Sequence, residues 1–302
     1  MATYQGERYV AEQLNSIACQ SFSDWTLTVS DDGSTDGTLQ LVTAFQARVR
    51  QSVRIVSGPR LGATKNFLQL VLQKADAAPT DLFSFCDQDD VWLPDKLARA
   101  VAHFDKTAPT IETPYLYCSR TAFVDAHLES IGLSRIPRQP PSFANALVEN
   151  IASGNTMVFN GALRKFLNLV GPHHSVWHDW TTYQVACGCG GVVAYDAQPC
   201  IRYRQHRLNV FGARSGLTSV LVRLKYVLSG EYRRWGDLTE LAMAELKPHL
   251  TLESQAMLDI YRSARRERSG FTAALRMSRA GIVRQSRTDQ LVLSASLCLK
   301  LA

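Results

Sequence analysis

Asp87-Gln88-Asp89 sets two carboxylates two residues apart at the end of an apolar run, with Asp90 beside them. Hard oxygen donors so spaced suit Mg²⁺ or Mn²⁺, ions that take one or two protein carboxylates together with substrate phosphate oxygens. The plainer reading is an acidic turn before a helix, where Asp favours the positive N-terminal end. A second cluster, Asp31-Asp32-Gly33-Ser34-Thr35-Asp36, follows another apolar run. Asp-Gly turns end many strands, and Ser34 or Asp36 can cap the helix that follows. Two adjacent carboxylates are costly to crowd unless one meets a donor. A pyrimidine ring N–H or a ribose hydroxyl would be such a donor. Alone, each cluster carries little.

The elements around them decide whether they meet. Residues 7–19 carry Val10, Leu14, Ile17 and Ala18 on one helical face. Residues 25–30 read as a strand stopped by turn chemistry, and 38–49 as a helix with Leu39, Leu41, Val42 and Phe45 apolar. Strand 53–56 closes at Gly58-Pro59, and helix 65–74 carries Phe67, Leu68, Leu70 and Val71. Strand 82–86 runs into Asp87, and Pro94 suits the first turn of a helix reaching 104. Strand and helix alternate over short connections, the pattern of βαβ units around a mostly parallel central sheet with flanking helices. Ligands of such sheets bind outside the carboxyl ends of the strands. Both acidic clusters are therefore expected on one rim. Further on, 115–124 reads as a strand, 136–142 as a proline-rich loop, 151–160 as a strand and 181–187 as a short helix. Beyond residue 212 the chain reads as helical, with Leu217, Val220, Leu221, Leu224, Val227 and Leu228 in one apolar stripe.

With 302 residues, the chain has room for one large α/β domain with an appendage, or two small domains. Charge is unevenly spread. Residues 1–200 hold 15 Lys and Arg against 19 Asp and Glu, whereas 201–302 hold 18 against 8. Any anionic surface would meet the tail, whose arginines include Arg262, Arg265, Arg266, Arg268, Arg276, Arg279, Arg284 and Arg287. Aromatic interleaving of the nucleic-acid kind is missing there, so no nucleic acid is expected as partner. Solvated helix faces explain part of this charge, and peripheral contact with an anionic membrane would explain the rest. The apolar stretch 291–301 is too short to span a bilayer. Seven cysteines show no CxxC pair, and the first residues are too polar for export. Reduced, mostly buried thiols in a cytoplasmic protein are expected. His174 and His178 lie four apart, which one helical turn would bring together as metal ligands; Pro172 favours a loop with an exposed pair instead. Neither G-x-G-x-x-G after the first strand nor a P-loop is present.

Taken in order, Met1-Ala2-Thr3-Tyr4-Gln5-Gly6-Glu7-Arg8-Tyr9, the 31–36 turn and Phe85-Cys86-Asp87-Gln88-Asp89-Asp90-Val91-Trp92-Leu93-Pro94-Asp95-Lys96-Leu97 resemble the family 2 glycosyltransferases. Within that family the chain looks most like bacterial rhamnosyltransferase-type members of surface-polysaccharide (O-antigen-like) pathways. Ser153-Gly154-Asn155-Thr156-Met157, His178-Asp179-Trp180, Tyr203-Arg204-Gln205-His206 and Asn209 extend the resemblance over roughly residues 1–212. It implies a GT-A fold with a nucleotide-sugar half, 1–110, and an acceptor half, 111–212. Residues 213–302 are then a basic helical C-terminal region.

The resemblance also implies roles. Thr3 and Asp32 match nucleoside contacts. Asp87 and Asp89 match the D-x-D pair for Mg²⁺ or Mn²⁺, with Asp89 the direct ligand. Asp179 matches the general base of an inverting transfer from a UDP- or dTDP-linked sugar to a hydroxyl of a glycan or lipid-linked acceptor. Asp179 can equally N-cap a helix starting near Trp180. From the residues themselves, His206 is a candidate for the metal or diphosphate, Arg204 for phosphate oxygens, and Lys65 or Asn66 for the nucleotide. Lys65 as a plain surface charge competes with that reading. Gln5 stands where the family usually has Asn. Only Ala2-Thr3-Tyr4 precede the first turn, where the family carries an apolar strand, so Met1 is expected to be internal to a longer reading frame. The rival reading is a non-catalytic, membrane-associated scaffold on a decayed transferase fold; intact Asp87, Asp89 and Asp179 favour the enzyme.

Overall fold

The computed structural model describes residues 1–72, 77–107, 110–206 and 225–301. Lys74 at the end of one expected helix, Asn209, and Leu217, Val220, Leu221 and Leu224 of the expected stripe lie outside the described residues.

Three parallel strands open the chain: β1 (Ala2–Thr3), β2 (Leu27–Asp31) and β3 (Val53–Ser57), in the order β1-β2-β3. Helices α1 (Val10–Ala18) and α2 (Thr38–Gln46) connect them, as the alternating pattern required. Val10, Leu14 and Ile17 of α1 and Val42 and Phe45 of α2 close over Val29 at the centre of β2. Helix α3 (Ala63–Leu72) then leads to β4 (Leu82–Ser84). The Ala2 amide donates to the Cys86 carbonyl at 3.2 Å, so β1 is flanked by β2 on one side and by the Asp87 segment on the other. The two acidic clusters thus sit side by side on the rim, as expected.

The second half of the α/β region departs from a parallel pattern. Strand β6 (Tyr115–Ser119) pairs in parallel with β10 (Val192–Asp196), but β9 (Val158–Asn160) runs antiparallel to both β4 and β6. A second small sheet orders β5 (Val91–Trp92), β11 (Ile201–Arg204), β7 (Ala122–Val124) and β8 (Ser130–Leu133). The single strand expected over 115–124 is therefore two strands in two sheets. The break falls where the Arg120 amide turns to the Asp196 carbonyl, at 2.8 Å, and the Thr121 amide to the Ser134 hydroxyl, at 2.9 Å. Of the expected strand 151–160 only β9 forms. Ser153 accepts from both the amide (2.9 Å) and the hydroxyl (2.8 Å) of Thr156, which closes a 3-10 turn at Gly154–Thr156. Helices α4 (Lys96–Thr107), α5 (Phe143–Ala146), α6 (Gly161–Val170) and α7 (His178–Gly188) complete this half.

The C-terminal helices are α8 (Glu231–Glu245), α9 (Leu252–Arg265), α10 (Gly270–Arg279) and α11 (Arg287–Cys298). Thr251, Ser269 and Ser286 cap the last three by accepting from the amides of Ser254, Thr272 and Asp289. Met243, Leu246, Leu258 and Met277 join one core with Phe143, Leu147, Tyr183 and Val185. Among the described residues this tail shares its interior with the second half of the α/β region, with no separate core. Arg265 and Arg266 both bond Glu240, at 2.5 and 2.6 Å, and Arg262 approaches the same carboxylate at 3.6 Å. Those three arginines are engaged within the protein, whereas Arg268, Arg276, Arg279 and Arg287 are exposed. Among the described residues no helix is long and apolar enough to cross a membrane.

Candidate active site

A cavity of about 1820 Å³ opens along the rim, and Thr3, Asp32, Asp87, Asp89, Asp179 and His206 all line it. The sequence motifs thus converge across a hundred and more residues.

Asp87 is enclosed. Burial, then the charges of Asp89 and Asp179, push its carboxyl up to about 7. Burial with the same neighbours Asp89 and Asp87 holds Asp90 well above the ordinary carboxylate range. Asp90 faces inward: its Oδ2 accepts from Asn155 Nδ2 at 2.7 Å and its Oδ1 from the Arg204 amide at 3.3 Å. Lys96 is fully buried below it. Its Nζ donates to the Asn155 carbonyl at 2.7 Å and lies 3.5 Å from the Trp92 ring centroid. Asp90, Asn155 and Lys96 form the floor under the D-x-D turn, since buried charges persist only where partners satisfy them. Gln88 fixes the turn from the other side. Its Nε2 donates to the Tyr4 carbonyl and its Oε1 accepts from the Tyr4 amide, both at 2.9 Å. Gly6 leaves the space this amide occupies.

Asp179 lies in the first turn of α7, whose N-cap is Trp177, so it is not the cap. Its Oδ1 accepts from the Trp180 amide at 2.7 Å and its Oδ2 from the Gly154 amide at 3.2 Å. Two fixed donors aim the carboxylate into the cavity, with lone pairs left over for a ligand. The Gly154-Asn155 turn therefore holds the Asp179 carboxylate with one residue and the D-x-D floor with the next.

At the end of the cavity formed by the second acidic cluster, Asp31 is saturated by Thr3 Oγ1 (2.8 Å), the Gly33 and Ser34 amides and Ser34 Oγ. Asp32 accepts from the Arg60 amide at 2.6 Å and the Gly62 amide at 2.8 Å. The donors that relieve these adjacent carboxylates are the protein's own, and Asp32 shapes the 58–62 loop while still facing the cavity. Thr3 faces it too, with its hydroxyl committed to Asp31. Gln5 adopts φ 49°, the left-handed region that Asn tolerates better than Gln. Its side chain still accepts from the Thr35 amide at 2.8 Å, so the turn closes. The Met1 carbonyl accepts from the Ser30 amide at 2.9 Å and its amine donates to the Thr28 carbonyl at 2.8 Å, which extends the β1–β2 ladder.

Several expectations need correction. Lys65 lies on α3 off the cavity wall, and Thr64 and Asn66 line it instead. Arg204 is also off the wall. Its buried guanidinium bonds Glu12, the Asp89 carbonyl (3.0 Å) and the Ala126 carbonyl (2.7 Å), so it braces the D-x-D turn and is committed within the protein. His206 does reach Asp89, with Nε2 2.7 Å from Oδ2, and stacks on Tyr9 at 5.2 Å. This contact ties the His206 ring to the D-x-D turn and orients Asp89. His174 and His178 do not pair as ligands. His174 meets Glu245 at 2.8 Å, while His178 stacks on Phe67 at 4.2 Å and burial lowers its pKa. Among the described residues no group of three or more His, Cys, Asp or Glu can hold a metal, Cys187 and Cys189 included. Asp87 and Asp89 nevertheless fit Mg²⁺ or Mn²⁺ as a two-carboxylate set that a diphosphate completes. The cysteines are free, with Cys86, Cys118 and Cys200 buried and Cys19 and Cys298 exposed.

The profile of Glycosyl transferase family 2 matches residues 1–168, and the chain belongs to that family. It is 30% identical over 253 residues to the dTDP-rhamnosyl transferase RfbG of Shigella flexneri, an alignment covering 81% of this chain and 84% of RfbG. The crystal structure of Staphylococcus aureus TarS 1–349 in complex with UDP-GlcNAc superposes with a TM-score of 0.55 at 16% identity. That alignment covers 98% of this chain and 88% of the TarS fragment. The fold is accordingly GT-A, with a helical C-terminal extension.

Proposed function

We propose that this transferase moves a deoxyhexosyl group, rhamnosyl in the first instance, from a dTDP- or UDP-linked donor to a hydroxyl of a glycan or lipid-linked acceptor in surface-polysaccharide assembly. The observation that carries the reading is the meeting of Asp87, Asp89 and Asp179 on one cavity wall. The acceptor oxygen forms its bond to the anomeric carbon as the carbon–phosphate oxygen bond breaks, and the nucleoside diphosphate leaves with the electron pair. Asp179 takes the acceptor proton, held in place by the Gly154 and Trp180 amides. One such displacement inverts the anomeric centre. Asp87 and Asp89 would hold Mg²⁺ or Mn²⁺, which when bound offsets charge on the departing diphosphate. The 30% identity to RfbG supports the dTDP-rhamnose choice.

Peripheral attachment at the inner face of the cell membrane fits the exposed Phe271, Leu275 and Leu291 lying among exposed Arg268, Arg276, Arg279 and Arg287. Purified protein incubated with dTDP-, UDP- and GDP-sugars should release nucleotide diphosphate with dTDP-rhamnose first. Asp179→Asn should lower kcat by roughly 10²–10⁴ while donor Kd stays within a factor of two to three. Equal loss of donor affinity and kcat would move Asp179 to the donor site and sink its role as base. The carboxylate trio disfavours the scaffold reading, which predicts no turnover with any nucleotide sugar.

A further inference from the structure

The cavity holds more than a nucleotide sugar needs. Small-molecule sites run to about 300–1,000 Å³, whereas this one is about 1820 Å³. Part of its wall comes from outside the family profile. Tyr226, Tyr232 and Trp235, with Arg284 from the loop before α11, join Trp177, the N-cap of α7, and Trp180, which follows Asp179 in its first turn. These rings are assembled before any ligand arrives. Trp235 lies 6.0 Å from Trp180, 5.4 Å from Tyr226 and 5.3 Å from Tyr232. Arg284 donates from Nη1 to the Tyr232 hydroxyl at 3.1 Å and lies over that ring at 4.9 Å. Among the described residues its buried Nε has no hydrogen-bond partner.

We propose that this aromatic wall with Arg284 is the acceptor subsite, and that it takes a pyranoside ring of a saccharide acceptor beside Asp179. The inference rests on the transferase reading and deepens it. A pyranose presents an apolar C–H face and a polar rim. Flat, amphipathic rings suit the face, and a guanidinium on the same wall suits hydroxyl oxygens at the rim. A prenyl chain would need neither the Arg284 donor nor a wall whose next residue is a general base.

The test separates binding from turnover. Methyl rhamnoside, methyl glucoside, methyl N-acetylglucosaminide and a rhamno-oligosaccharide are titrated into the full chain with and without dTDP. Saturation-transfer NMR and calorimetry read binding, and farnesyl diphosphate serves as the lipid comparison. At least one saccharide should bind through its ring protons. Tyr226→Ala and Trp235→Ala should weaken that binding roughly 3- to 10-fold, the worth of one aromatic contact, and leave dTDP affinity unchanged. Tyr226 is half-buried, so its variant still reads the site if Trp235→Ala unfolds. No saccharide binding, binding untouched in both folded variants, preference for farnesyl diphosphate, or an equal fall in dTDP affinity would each overturn the subsite. If saccharides bind as stated but no nucleotide sugar is turned over, the transferase reading fails and the subsite stands.

Discussion

Gly154→Ala is the sharpest probe of how this site is held. A Cβ on Gly154 would lie 2.6 Å from His178 Nε2 and 3.1 Å from Asp179 Cβ. Carbon contacts settle near 3.5–4.0 Å, so the 3-10 turn and the start of α7 must part by about 1 Å. His178 cannot swing aside, because Phe67 stacks on it at 4.2 Å and Phe85 meets it edge-on at 4.7 Å. The displacement therefore falls on Asp179, whose Oδ2 also relies on the Gly154 amide. A misplacement of about 1 Å costs on the order of 10² in rate. Overpacking of this kind costs about 1–3 kcal/mol of stability. The expected result is a kcat lowered ~100-fold with donor Kd within a factor of two to three and a melting temperature down by roughly 2–10 °C. His178→Ser in the Gly154→Ala background removes the obstructing ring, and kcat should recover at least tenfold over the single variant. Steady-state kinetics, calorimetric donor binding and thermal unfolding read the three quantities. A Gly154→Ala enzyme with kcat within threefold of the parent, or a double variant no faster than the single, would refute the account.

Asp89→Asn should abolish the response of donor affinity to Mn²⁺, since an amide lacks the charge a divalent cation needs; near-parental turnover at saturating Mn²⁺ would remove Asp89 from the metal site. Asp87 has a pH signature. Its value near 7 in the folded chain exceeds the unfolded value of about 4, so between those pH values the folded state holds the extra proton and stability falls as pH rises. His178 acts oppositely: burial lowers its pKa, so its cost to stability appears as pH falls below about 6.5. The difference between parent and Asp87→Asn isolates the first effect. In chelator the variant should gain stability on the parent as pH goes from 5 to 8, and parallel melting curves would contradict the assignment. Replacing Arg268, Arg276, Arg279 and Arg287 with Glu should end co-sedimentation with anionic vesicles and leave donor hydrolysis intact; equal binding of parent and variant to neutral vesicles would point to plain hydrophobic adhesion.

What the sequence made legible and what it hid follow from the physics of each residue. Asp31, Asp32, Asp87 and Asp89 stood out because clustered carboxylates at strand ends need a reason, and because βαβ alternation fixes which rim the strand ends share; Asp179 was reached only through the resemblance carried by His178-Asp179-Trp180. The alternation through α4 was readable for the same cause: apolar period and turn residues agree locally. The acceptor half was harder. β9 is only three residues long and antiparallel, and its place between β4 and β6 is set by partners 74–78 residues away in β4 and 41–43 residues away in β6. Arg204 shows a second limit. Its charge suggested a phosphate partner, yet the fold surrounds it with Glu12 and two carbonyls. Nothing in the local sequence distinguishes an arginine that meets a ligand from one that braces the turn holding it.

The deepest-lying part of the site was the least readable for a related reason. Asp90 and Lys96 resemble surface residues of an acidic turn and a helix start, whereas both are fully buried and meet through Asn155. A buried carboxylate and ammonium are tolerated only with such a shared partner. The same turn, through Gly154, holds the Asp179 carboxylate, the proposed base. Residues 154 and 155 therefore tie Asp179 and the floor of the D-x-D turn to a single backbone segment, so the proposed base and donor turn keep their separation whenever that segment stays in place. A change confined to Asn155 should loosen the donor side first, and one confined to Gly154 the base side first. That division of labour can be read only when the side chains' partners are known.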